Sequence, residues 1–299
     1  MIDKKNYKAG YIAIIGKPNV GKSTLMNNLL DIKLSITSPR PQTTRRRVMG
    51  ILNKESLQII FLDTPGILAP KYGLQREMMH HVSMAVTDAD VLIYMLEVNS
   101  RNIENGIDIE NLQKVNPSGK PVLLVINKVD IISKPDLLPI IKYYSDKYDF
   151  ESILPISALK KDGIDELLQF FYKHIPLHPP FYDVDILTDQ PEKFFVAELI
   201  REQVFYQFQK EIPYSTEVQI LEFKERERGK DYISAVIFVE RDSQKAILIG
   251  QRGEALKNLS KRSRLSIEKF LDCSIYLEII IKVKKNWRKD EQQLKQFGY

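Results

Sequence analysis

Residues Gly16-Lys17-Pro18-Asn19-Val20-Gly21-Lys22-Ser23 restrict the possible folds of this chain more than any other stretch. The string G-x-x-x-x-G-K-S is a phosphate loop. Its glycines let main-chain N–H groups wrap a phosphate chain, Lys22 reaches the outer phosphates, and the Ser23 hydroxyl is placed to ligate Mg²⁺. The setting agrees: the apolar, β-branched run Tyr11–Ile15 ends at the first glycine, and after Thr24, expected with the loop to contact the nucleotide, Leu25, Leu29 and Leu30 lie at helical spacing. Strand, loop and helix in that order place phosphates at a helix N-terminus and demand an α/β fold.

The same alternation continues along the chain. Strand-like runs at 11–15, 46–52, 57–62, 91–96, 121–126 and 152–156 alternate with helical patterns near 72–87, 104–115, 136–147 and 164–174. This predicts a mainly parallel sheet with helices on both faces, and Asn53-Lys54-Glu55-Ser56 predicts one antiparallel hairpin. Ile175-Pro176-Leu177-His178-Pro179-Pro180 then breaks any helix. The expected division is a nucleotide-binding domain over 1–175, a linker over 176–193 and a second domain over 194–299. At about 100–200 residues per domain, 299 residues suit two. The second region reads helix–strand–strand–helix–helix–strand, with a helix start signalled at Thr188–Glu192, a strictly alternating strand from Ile275 to Val283, and a short helix near 290–297.

Charge separates the two regions. Arg241 to Lys289 holds 13 Lys/Arg against 5 Asp/Glu, a local +8, so the rest of a chain of net +5 carries −3. A basic region on an otherwise slightly acidic chain points to a polyanionic partner. A single cysteine, Cys273, rules out an intrachain disulfide. No apolar run approaches the roughly 18–20 residues that span a bilayer, and the N-terminal apolar run ends in the phosphate loop, which argues against a signal peptide. A soluble, cytoplasmic protein is expected.

Three further motifs complete a nucleotide site. Asp63-Thr64-Pro65-Gly66 follows strand 57–62, where the carboxylate can hold Mg²⁺ through water and the Gly66 N–H can meet a γ-phosphate. Asn127-Lys128-Val129-Asp130 follows strand 122–126 at the mouth of the sheet. Asp130 can accept two hydrogen bonds from N1–H and the 2-amino group of guanine. Adenine lacks that donor pair, so a buried carboxylate would reject ATP. Ser157-Ala158, after strand 152–156, is placed to offer backbone contact to the base.

These motifs resemble the G1, G3, G4 and G5 elements of translation-factor-class GTPases, and Gln42-Thr43-Thr44-Arg45 resembles their first switch. The resemblance implies that one threonine closes onto Mg²⁺, Thr44 ahead of Thr43, beside Ser23 and Asp63. Lys22, Thr44, Gly66 and Asn19 are the expected catalytic groups. Ile67 stands where Ras-like proteins carry a water-orienting glutamine, so turnover without help should be slow. In the group with a hydrophobic residue there, an asparagine at the Asn19 position helps to hold K⁺.

In the second region, Ile249-Gly250-Gln251-Arg252-Gly253 followed by Lys257 resembles the G-x-x-G loop of a KH domain, which clamps single-stranded RNA. The element order is that of a type II KH fold. A GTPase domain joined to such a domain resembles the Era family over nearly the whole chain. That implies a GTP/GDP-controlled, Mg²⁺-dependent switch, monomeric, acting near the 3′ end of 16S ribosomal RNA in maturation of the 30S subunit. Peripheral association with the inner face of the cell membrane is also implied by the family, although the residues offer no lipid anchor. A tRNA-modifying GTPase would carry a C-terminal cysteine motif, whereas Cys273 lies inside a strand pattern. A tandem GTPase would carry a second phosphate loop, and none is present. A membrane signalling protein would bind liposomes without RNA.

Overall fold

The structure, a computed structural model, describes residues 6–98, 112–113 and 116–299. It divides into two compact units: the first takes in Met1–Ser35, Thr44–Ala69 and Met78–Asp189, the second Ile36–Thr43, Pro70–Glu77 and Gln190–Tyr299. The second unit therefore includes two short segments drawn from early in the sequence. Most of the expected helix at 104–115 lies outside the described residues.

In the first unit the elements are β1 (Lys8–Gly16), α1 (Lys22–Leu30), β2 (Val48–Lys54), β3 (Leu57–Asp63), α2 (Gly73–Asp88, whose first turn belongs to the second unit), β4 (Val91–Glu97), β5 (Val122–Asn127), α3 (Lys134–Ser145), β6 (Ser152–Pro155) and α4 (Ile164–His174). The strand order is β2-β3-β1-β4-β5-β6, parallel throughout except for the β2–β3 hairpin at one edge. Strand residues alternate between faces, so successive side chains feed opposite layers. Ala13, Ile15, Ile60, Leu62, Leu92 and Tyr94 form one buried cluster with Val82 and Ala85 of α2 and Ile140 of α3. Phe61, of opposite parity, meets Phe171 of α4 edge-on at 5.6 Å. Helices thus cover both faces.

The Pro-rich stretch after α4 is not free. Buried Gln58 accepts hydrogen bonds from the N–H groups of Phe181 (2.7 Å) and Tyr182 (3.1 Å) and donates to the Tyr182 carbonyl (2.8 Å). The Ile51 N–H donates to Leu187 and the Thr188 hydroxyl to Met49. Residues 177–188 therefore form a strap across the β2–β3 edge, closing a row of backbone groups that an edge strand leaves unpaired.

The second unit contains α5 (Glu192–Gln207), the single turn α6 (Ile212–Ser215), β7 (Glu217–Lys224), β8 (Asp231–Val239), α7 (Asp242–Ile249), α8 (Glu254–Leu271), β9 (Ile275–Val283) and α9 (Glu291–Phe297). β7 and β8 are antiparallel, and β8 and β9 parallel. The core joins Val196, Ile200 and Val204 of α5 to Ile233, Ala235 and Ile237 of β8 and to Leu259 and Ile267 of α8. The spacing of four along α5 puts these three on one stripe facing the core. Trp287 is fully buried, its indole N–H on the Ser215 carbonyl at 3.0 Å.

Candidate functional site

The phosphate loop links β1 to α1, and its lysine is turned inward. Lys22 is buried, and its ammonium donates to the carbonyls of Gly16 (3.2 Å) and Lys17 (2.9 Å), so it holds the loop in shape. Burial lowers the pKa of this ammonium to about 8, against the upward pull of Asp63. At the start of α1 the Ser23 hydroxyl donates to Asp63 at 2.7 Å and lies 3.0 Å from the Thr44 hydroxyl. Three oxygen groups from three parts of the chain converge there. The other carboxylate oxygen of Asp63 is buried without a hydrogen-bond partner. Burial raises the pKa of the Asp63 carboxyl, while the Ser23 hydrogen bond and Lys22 lower it.

Residues 63–67 close on the same loop. The Thr64 hydroxyl donates to the Ile14 carbonyl at 2.7 Å, and the Ile67 N–H to the Gly16 carbonyl at 2.9 Å. Between them, Pro65 leads into Gly66, where a Cβ would stand 2.5–2.7 Å from atoms of Pro18. Only glycine fits such an approach. Ile67, partly buried, packs against the core cluster. Asn19, in contrast, is exposed with a left-handed φ of 68°.

On the other side of the loop, Asn127 acts through its own geometry. Its amide N–H donates to the Val20 carbonyl and its oxygen accepts from the Ala158 N–H, both at 2.8 Å. It ties the phosphate loop to the 157–158 turn. Ser157 donates to one oxygen of the Asp130 carboxylate at 2.6 Å. Asp130 is exposed. The residues after β5 form a surface turn, so only a base lying over it removes Asp130 from water. Lys128 sits at φ 67° and pairs with Glu97.

Two residues absent from the sequence-based set support these loops. Asn27 accepts from the N–H groups of Leu34 (3.0 Å) and Ser35 (2.9 Å), fixing the chain where it leaves α1. Asn28 donates to the Ala158 carbonyl. Their signal was adjacent amides near a helix C-terminus, a position where Asn bonds backbone rather than solvent.

The loop of the second unit is equally compact. α7 ends at Ile249, and Gly250, Gln251, Arg252 and Gly253 make one tight turn before α8. Gln251, Arg252 and Lys257 are exposed. Gly253 has φ 80° and open space where a Cβ would point. It leaves the first N–H groups of an 18-residue helix uncapped by any side chain, the arrangement that suits a phosphate.

Among known families, residues 11–128 match the model of a 50S ribosome-binding GTPase, and residues 211–288 that of a KH domain. The GTPase Era of Geotalea uraniireducens is 43% identical over 297 residues, covering 99% of each chain. The chloroplastic GTPase ERA1 of Zea mays is 40% identical over 98% of this chain and 71% of its own length. Among solved structures, a point variant of Aquifex aeolicus Era bound to GDP·AlF4⁻ superposes with a TM-score of 0.92 at 39% identity, covering 98% and 99% of the two chains. Era in complex with MgGDPNP and nucleotides 1506–1542 of 16S ribosomal RNA gives 0.93 at 40% identity, with the same coverage. With an α/β GTP-hydrolysing part joined to a KH fold, and relatives alike over nearly their whole length, this chain belongs to the Era family of GTPases.

Proposed function

We propose that this chain is a GTP-gated RNA-binding protein that engages the 3′ region of 16S ribosomal RNA and serves maturation of the small ribosomal subunit. The observation that carries this reading is the open G-x-x-G turn on the N-terminus of α8, in the same chain as a complete set of guanine-nucleotide motifs. The match over 11–128 is to a 50S ribosome-binding GTPase, and that stretch carries the phosphate loop and the Asp63–Gly66 motif. The RNA-reading loop lies in the KH region, and the Era relative bound to 16S nucleotides covers both regions. Domain limits of 1–175 and 194–299 accommodate these two roles, with 176–193 as the connection.

Mg²⁺ fits the oxygen cluster. Hard divalent ions take hydroxyl and carboxylate oxygens, and Ser23, Thr44 and Asp63 offer these, with one Asp63 oxygen buried and unpartnered. When bound, the ion supplies neutralisation of charge on the outer phosphates. Ser23 and Thr44 are the residues to hold it, and Asp63 orients them. The Lys22 ammonium and the Gly66 N–H bind the terminal phosphoryl group. Asp130 reads guanine, with Ser157 setting its orientation.

Because the Ile67 side chain has no hydrogen-bonding group, no side chain at that position orients the attacking water, and slow turnover follows. We assign K⁺ the missing charge, held by exposed Asn19. Turnover should be faster in KCl than in NaCl at equal ionic strength, and equal rates exclude the assignment. No helix among the described residues is long and apolar enough to cross a membrane, and the stripe Leu259, Ser263, Ile267 of basic α8 is buried in its own core. We place the protein in the cytoplasm as a monomer.

The deciding experiment measures binding of an RNA with the sequence of nucleotides 1506–1542 of 16S ribosomal RNA, with GDPNP or GDP present. Tighter binding with GDPNP, weakening steeply with added salt, is expected. No binding in either state rejects the reading.

A further inference from the structure

α5 carries two adjacent buried charges that the nucleotide chemistry does not use. Arg201 is 1% exposed and Glu202 2%. Arg201 pairs with Glu198 one turn earlier, its Nε donating at 2.8 Å. Its Nη2 also donates to the main-chain carbonyl of Thr43. Glu202 accepts from the N–H of Thr37 at 3.0 Å. Both targets are backbone groups of Ile36–Thr43, the segment that runs into the first switch at Gln42–Arg45 and is grouped with the second unit.

The arrangement separates a fixed part from a movable one. The Arg201–Glu198 pair is internal to α5 and persists whatever the segment does. The Thr43 carbonyl is held only while the segment keeps its place. That carbonyl shares a planar peptide unit with the N–H of Thr44. Thr44 is the residue whose hydroxyl lies 3.0 Å from Ser23 in the phosphate loop. Any turn of the 43–44 peptide that brings the Thr44 hydroxyl towards or away from a bound ion must redirect the Thr43 carbonyl. A buried guanidinium and carboxylate detect this strongly, because neither has water to replace a lost partner. The second early segment is anchored in the same unit: the Leu74 N–H donates to the Arg288 carbonyl at 2.8 Å, and the Arg288 guanidinium lies 5.1 Å from the Tyr72 ring centre.

We propose that Arg201 and Glu202 are positioning residues that read the backbone of segment 36–43 and transmit the nucleotide state to the RNA-binding unit. This rests on the GTP-gated reading above. Neither residue belongs to the nucleotide motifs or to the G-x-x-G turn. Each acts by making one conformation of the segment compatible with α5.

The test compares the ratio of RNA affinities with GDPNP and with GDP, using the full chain and the 1506–1542 RNA. Couplings between sites span about 5–150-fold, and the unaltered chain is expected within that range. In Arg201→Leu and Glu202→Leu the ratio falls towards one while GDPNP affinity and basal turnover hold. Glu202→Gln keeps an acceptor oxygen and restores the ratio. If Arg201→Leu fails to fold, the Glu202→Leu and Glu202→Gln pair decides. A wild-type ratio retained in the Leu variants overturns the assignment and leaves the gated reading intact. A ratio of one in the unaltered chain overturns the gated reading, and this inference with it.

Discussion

In the proposed pocket, guanine selection comes down to one carboxylate and its support. Asp130 is exposed, and its direction comes from the 2.6 Å hydrogen bond of Ser157. Replacing Asp130 by Asn turns one acceptor into a donor that opposes the 2-amino group of guanine but suits the 2-oxo group of xanthine, while the remaining amide oxygen still accepts from N1–H. A hydrogen bond to a charged group contributes about 1.5–3 kcal/mol. Asp130→Asn should therefore weaken GTP binding about 10–100-fold and improve xanthosine triphosphate, as read by competition against a fluorescent guanine nucleotide. Asn127 lies in the same motif with a different task. Its amide joins the Val20 carbonyl to the Ala158 N–H, so it shapes the pocket from behind. The motif announces the chemistry of both residues. Which one is turned to the protein and which to solvent depends on side-chain direction, which spacing alone does not carry.

Among the elements, the strap over 177–188 and helix α2 each depend on one vulnerable group. Gln58 is fully buried and satisfies three backbone groups of the strap. Gln58→Leu leaves those groups without partners at about 1–3 kcal/mol for each buried one. The expected result is a lower unfolding midpoint and faster proteolysis within 177–188 in limited digestion. His81 on α2 has a buried, unpartnered Nε2, and burial together with Arg46 and the neighbouring His80 and Arg47 lowers its pKa from 6.5 to about 4. The unfolded chain takes up a proton near pH 6.5, and the folded one only near pH 4. The contribution of neutral His81 to stability is thus complete above pH 6.5 and lost as pH falls from 6.5 to 4. Urea midpoints measured between about pH 7 and pH 4 should fall more steeply in the unaltered protein than in His81→Leu.

Over the chain as a whole, hydrolysis and RNA recognition are assigned to separate machinery and should separate by mutation. Gly253 is at φ 80° with open space at its Cβ position, so Asp there meets no clash, carries strain and places a negative charge at the anion-ready end of α8. Gly253→Asp should keep GTP turnover near that of the unaltered chain and reduce RNA affinity by about tenfold or more, a loss of about 1.4 kcal/mol at the lower end. Filter binding beside a phosphate-release assay reads both quantities. Normal RNA binding in this variant removes the KH loop from the proposed function.

What could be read from the chain before folding is the chemistry that stays local. Gly16–Ser23, Asp63–Gly66, Asn127–Asp130 and Gly250–Gly253 each need a few contiguous residues at set spacing, and alternating strand and helix patterns placed them on the correct elements. The antiparallel hairpin was legible in the four residues 53–56 for the same reason. Features that depend on distant partners emerged only in three dimensions. Leu177 to Thr188 reads as linker because prolines break helices, yet Gln58, more than a hundred residues earlier, binds it as a strap. Gln42–Arg45 reads as a first switch, yet that reading does not show that the backbone of segment 36–43, at Thr37 and Thr43, is held by charges at 201 and 202 on α5. A backbone N–H or carbonyl is the same at every position, so sequence carries no mark of which ones a distant side chain will hold.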